Sequence, residues 1–429
     1  MPRTIAIIGA SFAGLGVARF LEPRAEGADA EVILIDRKPY HEFHPLLYEV
    51  AVGAARGRAE DCERILASGV CVNINAFDRL FRGKRVTFRC DEVIAVDRLT
   101  RTLRFRGGGT ITFDALVLAA GSETAYYGIE GLKEHAIPLK SVRDALRIRR
   151  RILDLLHRTQ QGTAPTPSIV IGGGGATGVE FAAELGNSLH GRARDCAITL
   201  VERGSRLLTA FPERLSRVAL QRLHQLGVRV ALDAVVERAS LGRVVVAPRP
   251  LHSGEERSRL LCGFDGASCA LDADLIVWTG GIQYPALIAD AGFPCDARGR
   301  VVVGEDFLVR GETCVFALGD CASFTRLRTE QPLPPLASIA IRSAPVAAAN
   351  VLACLDEYPL RRFRSSVLPA IVPLGGKHAG LAYRRWVWVG RTVWILRTLV
   401  DLQYFCSILG LVTGFRMWWR GARMYTEND

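Results

Sequence analysis

The sequence predicts an α/β protein made of two doubly wound units and a separate C-terminal region. Three observations carry this. Short apolar runs of strand length alternate with helical segments along most of the 429 residues. One pattern, strand–glycine turn–helix–strand–acid, occurs twice. From Arg384 onward the composition changes.

The second copy of the pattern is the more complete. Ile169, Val170 and Ile171 read as a buried strand. Gly173, Gly175 and Gly178 follow in GxGxxG register, then a helix over Val179 to Leu189. A strand over Ala197 to Val201 is closed by Glu202. Each part suits a dinucleotide. Glycines let the backbone approach a pyrophosphate, and the helix N-terminus offers free N–H groups and positive dipole charge. The closing acid, about 20 residues on, accepts hydrogen bonds from a ribose diol. The alternative is a glycine-rich turn without a ligand. The first copy runs from a strand over Thr4–Ile8 through Gly9, Ser11 and Gly14. A helix to about Glu22, before Pro23, and a strand over Glu31–Ile35 lead to Asp36. Ser11 stands where the middle glycine would be and still allows close approach. Two Rossmann-like dinucleotide-binding domains in one chain suggest two nucleotides and hydride transfer between them. A carboxylate at Glu202 suits a free 2′-hydroxyl and repels a 2′-phosphate, which favours NADH over NADPH. Arg203 and Arg206 offset this slightly. Phe12, Ala13, Arg37 and Thr177 complete the candidate contacts around the two turns.

Between and after these units the chain keeps the same alternation. Tyr40–Gly53 (YHEFHPLLYEVAVG) follows the first. Val86–Arg106 alternates apolar and polar residues and, with Thr110–Leu118, reads as an antiparallel hairpin or three-strand meander. Leu116–Gly121, Asp274–Ile282 and Thr313–Ala322 each read as a strand meeting a glycine turn, so Gly121, Gly281 and Gly319 join the candidates. Val142–His157 reads as an Arg-rich helix, Phe211–Gly227 and Pro335–Leu355 as further helices, and Val228–Ala247 as strands. Arg249–Arg259 is a polar excursion of no evident function.

Hydrophobic residues make up 49% and charged residues 23%, a globular composition. The formal net charge is +11. No aromatic–basic RNA motif, zinc pattern or basic tail accompanies it, so no nucleic acid and no metal is expected; an anionic surface, anionic ligands or simply an Arg-rich proteome fit. Eleven cysteines form no CxxC, which argues against a disulfide framework and for a reducing cytoplasm. No signal peptide is expected. The charge-free stretch Gly162–Val179 has six glycines and two prolines and cannot be a spanning helix.

The tail, Arg384–Asp429, holds five of the six tryptophans. Seven arginines (384, 385, 391, 397, 416, 420 and 423) are interleaved with them. Gly390, Gly410 and Gly414 divide it into short helices. Trp at a bilayer interface, with Arg reaching the headgroups, is the reading that gives this tail a lipid surface between Arg384 and Arg423. An ordinary C-terminal helix pair, or a homodimer contact, is the alternative.

Taken together, GASFAGL, HEFHPLLYEVAVG, LVLAAGSETAYYGIEG, IPLKSVRDALRIRRRI, IGGGGATGVEFAAEL, VWTGGI and VFALGDCA occur in the order and spacing of a known family. They resemble the type II NADH dehydrogenases, single-chain NADH:quinone oxidoreductases of the two-dinucleotide-binding-domain flavoprotein superfamily. The resemblance implies FAD on the first unit (1–120 and 283–345), with Gly9, Gly14 and Asp36 on its ADP half and Asp320 on the ribitol side. It implies NADH as co-substrate on the second (121–282), through Gly173, Gly175, Gly178 and Glu202, and membrane-associating helices over 346–429. Glu180 matches a family glutamate between nicotinamide and flavin; alternatively it is a carboxylate stabilised by the helix dipole. Glu184, one turn on, reads as structural. The family's AQxAxQ stretch is replaced here by Ala337-Ser-Ile-Ala-Ile-Arg342, so Ser338 and Arg342 stand where two glutamines would. Arg342 could stabilise an anionic flavin or quinone. Lys377 is a further candidate near the quinone, with a plain surface lysine as the alternative. The activity implied is hydride transfer from NADH to FAD and two electrons to a membrane quinone, without proton pumping, at the cytoplasmic face of the cell (or inner) membrane as part of a respiratory chain. The rival readings are a sulfide:quinone oxidoreductase, which needs a redox cysteine pair near the flavin, and an NADH oxidoreductase or sensor with a non-quinone partner.

Overall fold

The computed structural model describes residues 2–53, 70–73, 85–189, 196–249, 268–324, 336–364 and 369–426. In chain order the elements used below are β1 (Arg3–Ile8), α1 (Phe12–Ala25), β2 (Ala30–Asp36), α2 (Leu47–Val52), β3 (Val86–Cys90), β4 (Ala115–Leu118), β5 (Ala136–Pro138), α3 (Val142–Gln160), β6 (Ser168–Gly172), α4 (Ala176–Ser188), β7 (Ala197–Val201), α5 (Glu213–Gln225), β8 (Val228–Ala231), β9 (Leu275–Trp278), β10 (Val315–Ala317), α6 (Ala337–Leu355), α7 (Arg391–Leu409) and α8 (Leu411–Thr426). Contacts group the chain into two units. One comprises 1–41, 72–123 and 282–366; the other comprises 42–71, 124–281 and 367–429. The expected C-terminal region is therefore divided: its part up to 366 groups with the first unit and the rest with the second.

The first unit is built on a parallel sheet of order β10-β4-β1-β2-β3. Its central strands are apolar on both faces, as a covered parallel sheet requires. Ile5, Ile7, Val32, Leu34, Val117 and Phe316 are fully buried. Helices α1 and α6 pack closely; a Cβ on Gly16 would fall 2.7 Å from that of Ala344. Residues Val93–Asp97, Thr102–Phe105 and Thr110–Thr112 form an antiparallel meander.

The second unit repeats this plan. Its parallel sheet has the order β5-β9-β6-β7-β8, and its meander is Ala234–Ser240, Gly242–Pro248 and Cys269–Ala273. The correspondence extends to single bonds. Asp114 accepts from Thr4 N at 2.7 Å in one unit and Asp274 from Ser168 N at 2.8 Å in the other. Each carboxylate ties the start of the central strand to the end of its meander.

Several sequence expectations need correction. Val86–Cys90 does not belong to the meander; it pairs parallel with β2 at the sheet edge. Helix α1 passes through Pro23 to Ala25, because Leu21 and Ala25 are fully buried and packing outweighs the proline. In the tail, Trp386 and Trp388 lie on a strand, Trp386–Gly390, paired antiparallel with Ala379–Tyr383. Gly414 does not end a helix. It sits inside α8, where a Cβ would fall 2.5 Å from the backbone of Cys406, so it marks the close approach of α8 to α7. Helices α6 and α7 are each 19 residues long and apolar enough to cross a membrane by length and composition, which the charge-free run had not indicated. The excursion at Arg249–Arg259 lies, from residue 250, outside the described residues.

The cysteine expectation also fails. Cys314 and Cys354 form a disulfide across a sequence separation of 40. It joins the residue before β10 to the C-terminal end of α6, a pairing made by tertiary packing that no local spacing announces. Closing a loop of that size stabilises a fold by roughly 3–4 kcal/mol. Peptide mapping without reductant should recover the 314–354 linked peptide, and the Cys314→Ser/Cys354→Ser protein should melt several degrees lower. Two freely alkylated thiols in the native protein would contradict the pairing.

Candidate functional site

In parallel sheets ligands collect at the C-terminal ends of the strands, where the backbone turns into a helix. Both units place their glycine motif there, with the same geometry. Gly9 and Gly173 each have φ +104°, which L side chains rarely adopt. A Cβ on Gly14 would fall 1.9 Å from Gly9 O, and one on Gly178 1.9 Å from Gly173 O. The first glycine therefore makes the turn and the third lets the helix lie against it. The middle position has ordinary extended backbone: Ser11 at φ −84°, ψ −161° and Gly175 at φ −70°, ψ −174°. A serine can stand there without strain. A Cβ on Gly175 would meet nothing within 4 Å, so the bare backbone faces open space. Neither α1 nor α4 has a side-chain N-cap or an acid in its first turn. Their first N–H groups remain available to an anion.

The two acids are tied back to these turns. Asp36 accepts from Ala10 N at 2.8 Å and from Lys38 N at 2.9 Å. Glu202 accepts from Gly174 N at 2.5 Å and from Gly204 N at 2.6 Å. A carboxylate has about four acceptor sites, so each keeps capacity for a ribose diol. Thr279 was not a sequence candidate, yet its hydroxyl bonds Gly172 O at 2.9 Å and Gly173 O at 3.1 Å and holds the second turn to β9.

In the first unit the other candidates gather near the turn. A Cβ on Gly319 would fall 3.2 Å from that of Ala13. Asp320 accepts from Ser122 Oγ at 2.7 Å, next to Gly121, which has φ +68°. A cavity beside Gly319 and Asp320 is lined further by Arg300, Leu336, Ala340 and Ser343. Phe12 meets His41 edge-on at 5.1 Å, and His41 Nδ1 lies 3.2 Å from Ala10 O. Burial pushes the His41 imidazole down to about 4, against its hydrogen bond to Ala10, so it is neutral at physiological pH. Arg37 is exposed and 3.6 Å from Glu123. Ser338 and Arg342 are exposed on α6 and do not line the cavity. The glycine cradles and their acids fit a dinucleotide in each unit, FAD on the first and NADH on the second by the resemblance.

In the second unit Thr177 is exposed at the start of α4, and Gly281 packs so close to Tyr127 that a Cβ would fall 2.0 Å from its hydroxyl. Lys377 follows a Gly-Gly turn seated on α4, where Gly376 N donates to Glu184 Oε2 at 3.1 Å. Glu184 is buried. Glu180 has no hydrogen-bond partner among the described residues. Burial pushes its carboxyl up to about 7; Arg397 opposes and Glu49 adds to the shift. Tyr48, Glu49, Arg397 and Asp401 form a buried polar group that sequence reasoning missed. Tyr48 OH donates to Glu49 Oε1 at 3.0 Å, Arg397 Nη1 lies 3.7 Å from the same oxygen, and Arg397 Nη2 donates to Pro45 O at 3.1 Å.

Comparison with known proteins identifies the family and the fold. The family described as pyridine nucleotide-disulphide oxidoreductase matches residues 3–344. The type II NADH:quinone oxidoreductase of Staphylococcus saprophyticus is 26% identical over 425 residues, covering 96% of this chain and 98% of its own. That of Staphylococcus aureus strain NCTC 8325 is likewise 26% identical over 425 residues, with the same coverage. Among solved structures, NDH2 from Plasmodium falciparum in complex with NADH superposes with a TM-score of 0.79 at 17% identity, covering 100% of this chain and 97% of that one. The sulfide:quinone oxidoreductase of Aquifex aeolicus follows at 0.74 and 18%, covering 95% and 91%. These two likenesses show the fold.

The raised Glu180 carboxyl has a thermodynamic consequence. Its ordinary value is 4.5 and its folded value about 7. The stability it contributes is present below the lower value and is lost as pH rises through the higher one. Glu180→Gln removes this titration while Asp401 titrates in both proteins. The variant should gain thermal midpoint relative to wild type between about pH 5 and about pH 8. A constant difference across that range would contradict the assignment.

Proposed function

This chain belongs to the pyridine nucleotide-disulphide oxidoreductase family, and we propose that within it the protein is an FAD-dependent, non-proton-pumping NADH:quinone oxidoreductase of type II. The observation that carries the reading is the duplicated cradle: two glycine turns of the same geometry, each closed by a carboxylate. Near full-length similarity to relatives named for that activity supports it.

When bound, the flavin supplies the redox chemistry, accepting hydride from NADH and passing electrons to quinone. The protein's own residues bind and orient. The N–H groups at the starts of α1 and α4 hold the pyrophosphates. Asp36 and Glu202 would receive the ribose diols while bracing the turns, and Asp320, which accepts from Ser122, would hold the ribitol side. Glu202 turns a 2′-phosphate away. Glu180, close to neutral pH in its affinity for a proton, can hold or release one at the edge of the nicotinamide site. Exposed Ser338 and Arg342 and half-buried Lys377 are proposed on the quinone side.

A sulfide:quinone oxidoreductase is disfavoured by the thiols. Cys321 is buried, bonds Leu118 O at 3.4 Å, and is pushed up to about 12 by burial, which leaves it unreactive. The Cys314–Cys354 disulfide sits before β10, at the N-terminal end of the strand and away from the ligand end.

The tail supports a lipid surface. Ile395, Leu399, Val400, Leu411, Phe415 and Trp419 are exposed on α7 and α8, with Arg416 and Arg420 beside them. Trp386 and Trp388 stack at 6.2 Å and are also exposed. The inner face of α7 is core, with Phe405 at 2% exposure. Truncation at Arg384 would therefore unfold the second unit, and surface substitutions are the cleaner test. NADH is available at the cytoplasmic face, which is the side proposed.

The purified holoprotein should show a flavin spectrum that one equivalent of NADH bleaches and quinone restores. NADPH should serve poorly. Glu202→Ala should raise the KM for NADH by about tenfold, the loss expected for charge-assisted hydrogen bonds, and narrow the preference over NADPH. No flavin, or equal use of both nucleotides by wild type, would refute the reading. Leu399→Gln/Phe415→Gln/Trp419→Gln should lose liposome binding yet keep turnover with a water-soluble quinone. Unchanged sedimentation with liposomes would remove the lipid surface.

A further inference from the structure

We propose that the cavity shared by Glu49, Arg397 and Asp401, between α2 and the C-terminal helices, is the port that takes up the solvent proton consumed in quinone reduction; this rests on the reading above. The reaction balances as NADH + H⁺ + quinone → NAD⁺ + quinol. NADH contributes two electrons and one proton as hydride. The second proton comes from solvent.

The cavity is lined by Glu49, Arg397 and Asp401 together with Trp394, Phe405 and Trp418. Its three charged residues are 5%, 7% and 9% exposed. Asp401 stands out. It has no hydrogen-bond or ion-pair partner among the described residues, although it is buried on a largely apolar helix. A buried carboxyl without a direct hydrogen bond is costly, and here the opposing influence is the charge of Arg397 on the same cavity wall.

Asp401, Glu49 and Glu180, from α7, α2 and α4, are grouped around Arg397. Burial raises Asp401 to about 6, with Arg397 opposing, so it exchanges protons near neutrality. Glu49 is the second acid on the cavity wall, and Tyr48 donates to it. On α4, half-buried Glu180 is raised to about 7 by burial and feels both Arg397 and Glu49. Arg397 stays charged; it pins Glu49 and α7 and carries no proton. The charged and titratable groups facing this path are Arg397 from α7, Tyr48 and Glu49 from α2, and Glu180 and Glu184 from α4. The cavity residues from α8 (Met417, Trp418, Gly421 and Ala422) do not titrate.

The test compares wild-type, Asp401→Asn and Asp401→Glu holoenzymes by anaerobic stopped flow. Bleaching of the flavin by NADH should be the same in all three. Reoxidation by a water-soluble quinone should be about tenfold slower in Asp401→Asn. The deficit should grow above neutral pH and be relieved by formate, a weak acid small enough to enter the cavity. Asp401→Glu should keep most of the rate. Wild-type reoxidation by Asp401→Asn at every pH overturns the proposal. So does a pH-independent loss that formate leaves unchanged, which marks Asp401 as packing only. If Asp401→Asn fails to retain flavin, Asp401→Glu decides: its reoxidation profile should shift on the pH axis, and an unshifted profile overturns the port. A wild-type flavin that NADH does not bleach, or quinone does not reoxidise, would instead remove the oxidoreductase reading beneath it.

Discussion

A single kind of bond underlies both nucleotide-binding ends: a carboxylate at the tip of one strand accepting from a backbone N–H in the neighbouring glycine turn. Asp36 does this for Ala10 and Glu202 for Gly174. A turn at φ +104° with no side chain has little of its own to hold it. The charge-assisted bond fixes it, and it does so with the group proposed to meet the ribose. Shape and specificity are thereby set by the same atoms. This explains why a serine is tolerated at position 11, where the backbone is extended, while Gly9 and Gly14 have no alternative.

The second constraint is buried charge. Arg397 reaches from α7 to Glu49 and Pro45, and so fastens a largely apolar helix within the second unit in one register. A buried pair of this kind specifies a fit more than it adds stability. It leaves the outer face of α7 free to be apolar and puts titratable groups near Glu180 on α4. Surface and site are thus connected through one helix.

Much of the fold was legible because its signals are local. The glycine spacings, the closing acids Asp36 and Glu202, and the strands ending at Gly121, Gly281 and Gly319 each lie within a short stretch. What escaped depends on distant partners. Arg397 finds Pro45 across 352 residues, and Cys314 finds Cys354 across 40. Trp386 and Trp388 looked helical amid a helical tail because their strand is made by pairing with Ala379–Tyr383. Gly414 read as a breaker because only the returning helix shows why its side chain must be absent. At the candidate site the cradles were visible, whereas Thr279, Glu49 and Asp401 were not, since their roles come from what packs beside them.

The most direct measurement of the central claim is a crystal structure of the holoprotein soaked with NADH. The account predicts both pyrophosphates at the glycine turns, one against Ser11–Ala13 and one against Gly175–Thr177, with a ribose diol on each of Asp36 and Glu202. Nucleotide bound elsewhere, or either carboxylate turned away from its ribose, would contradict it.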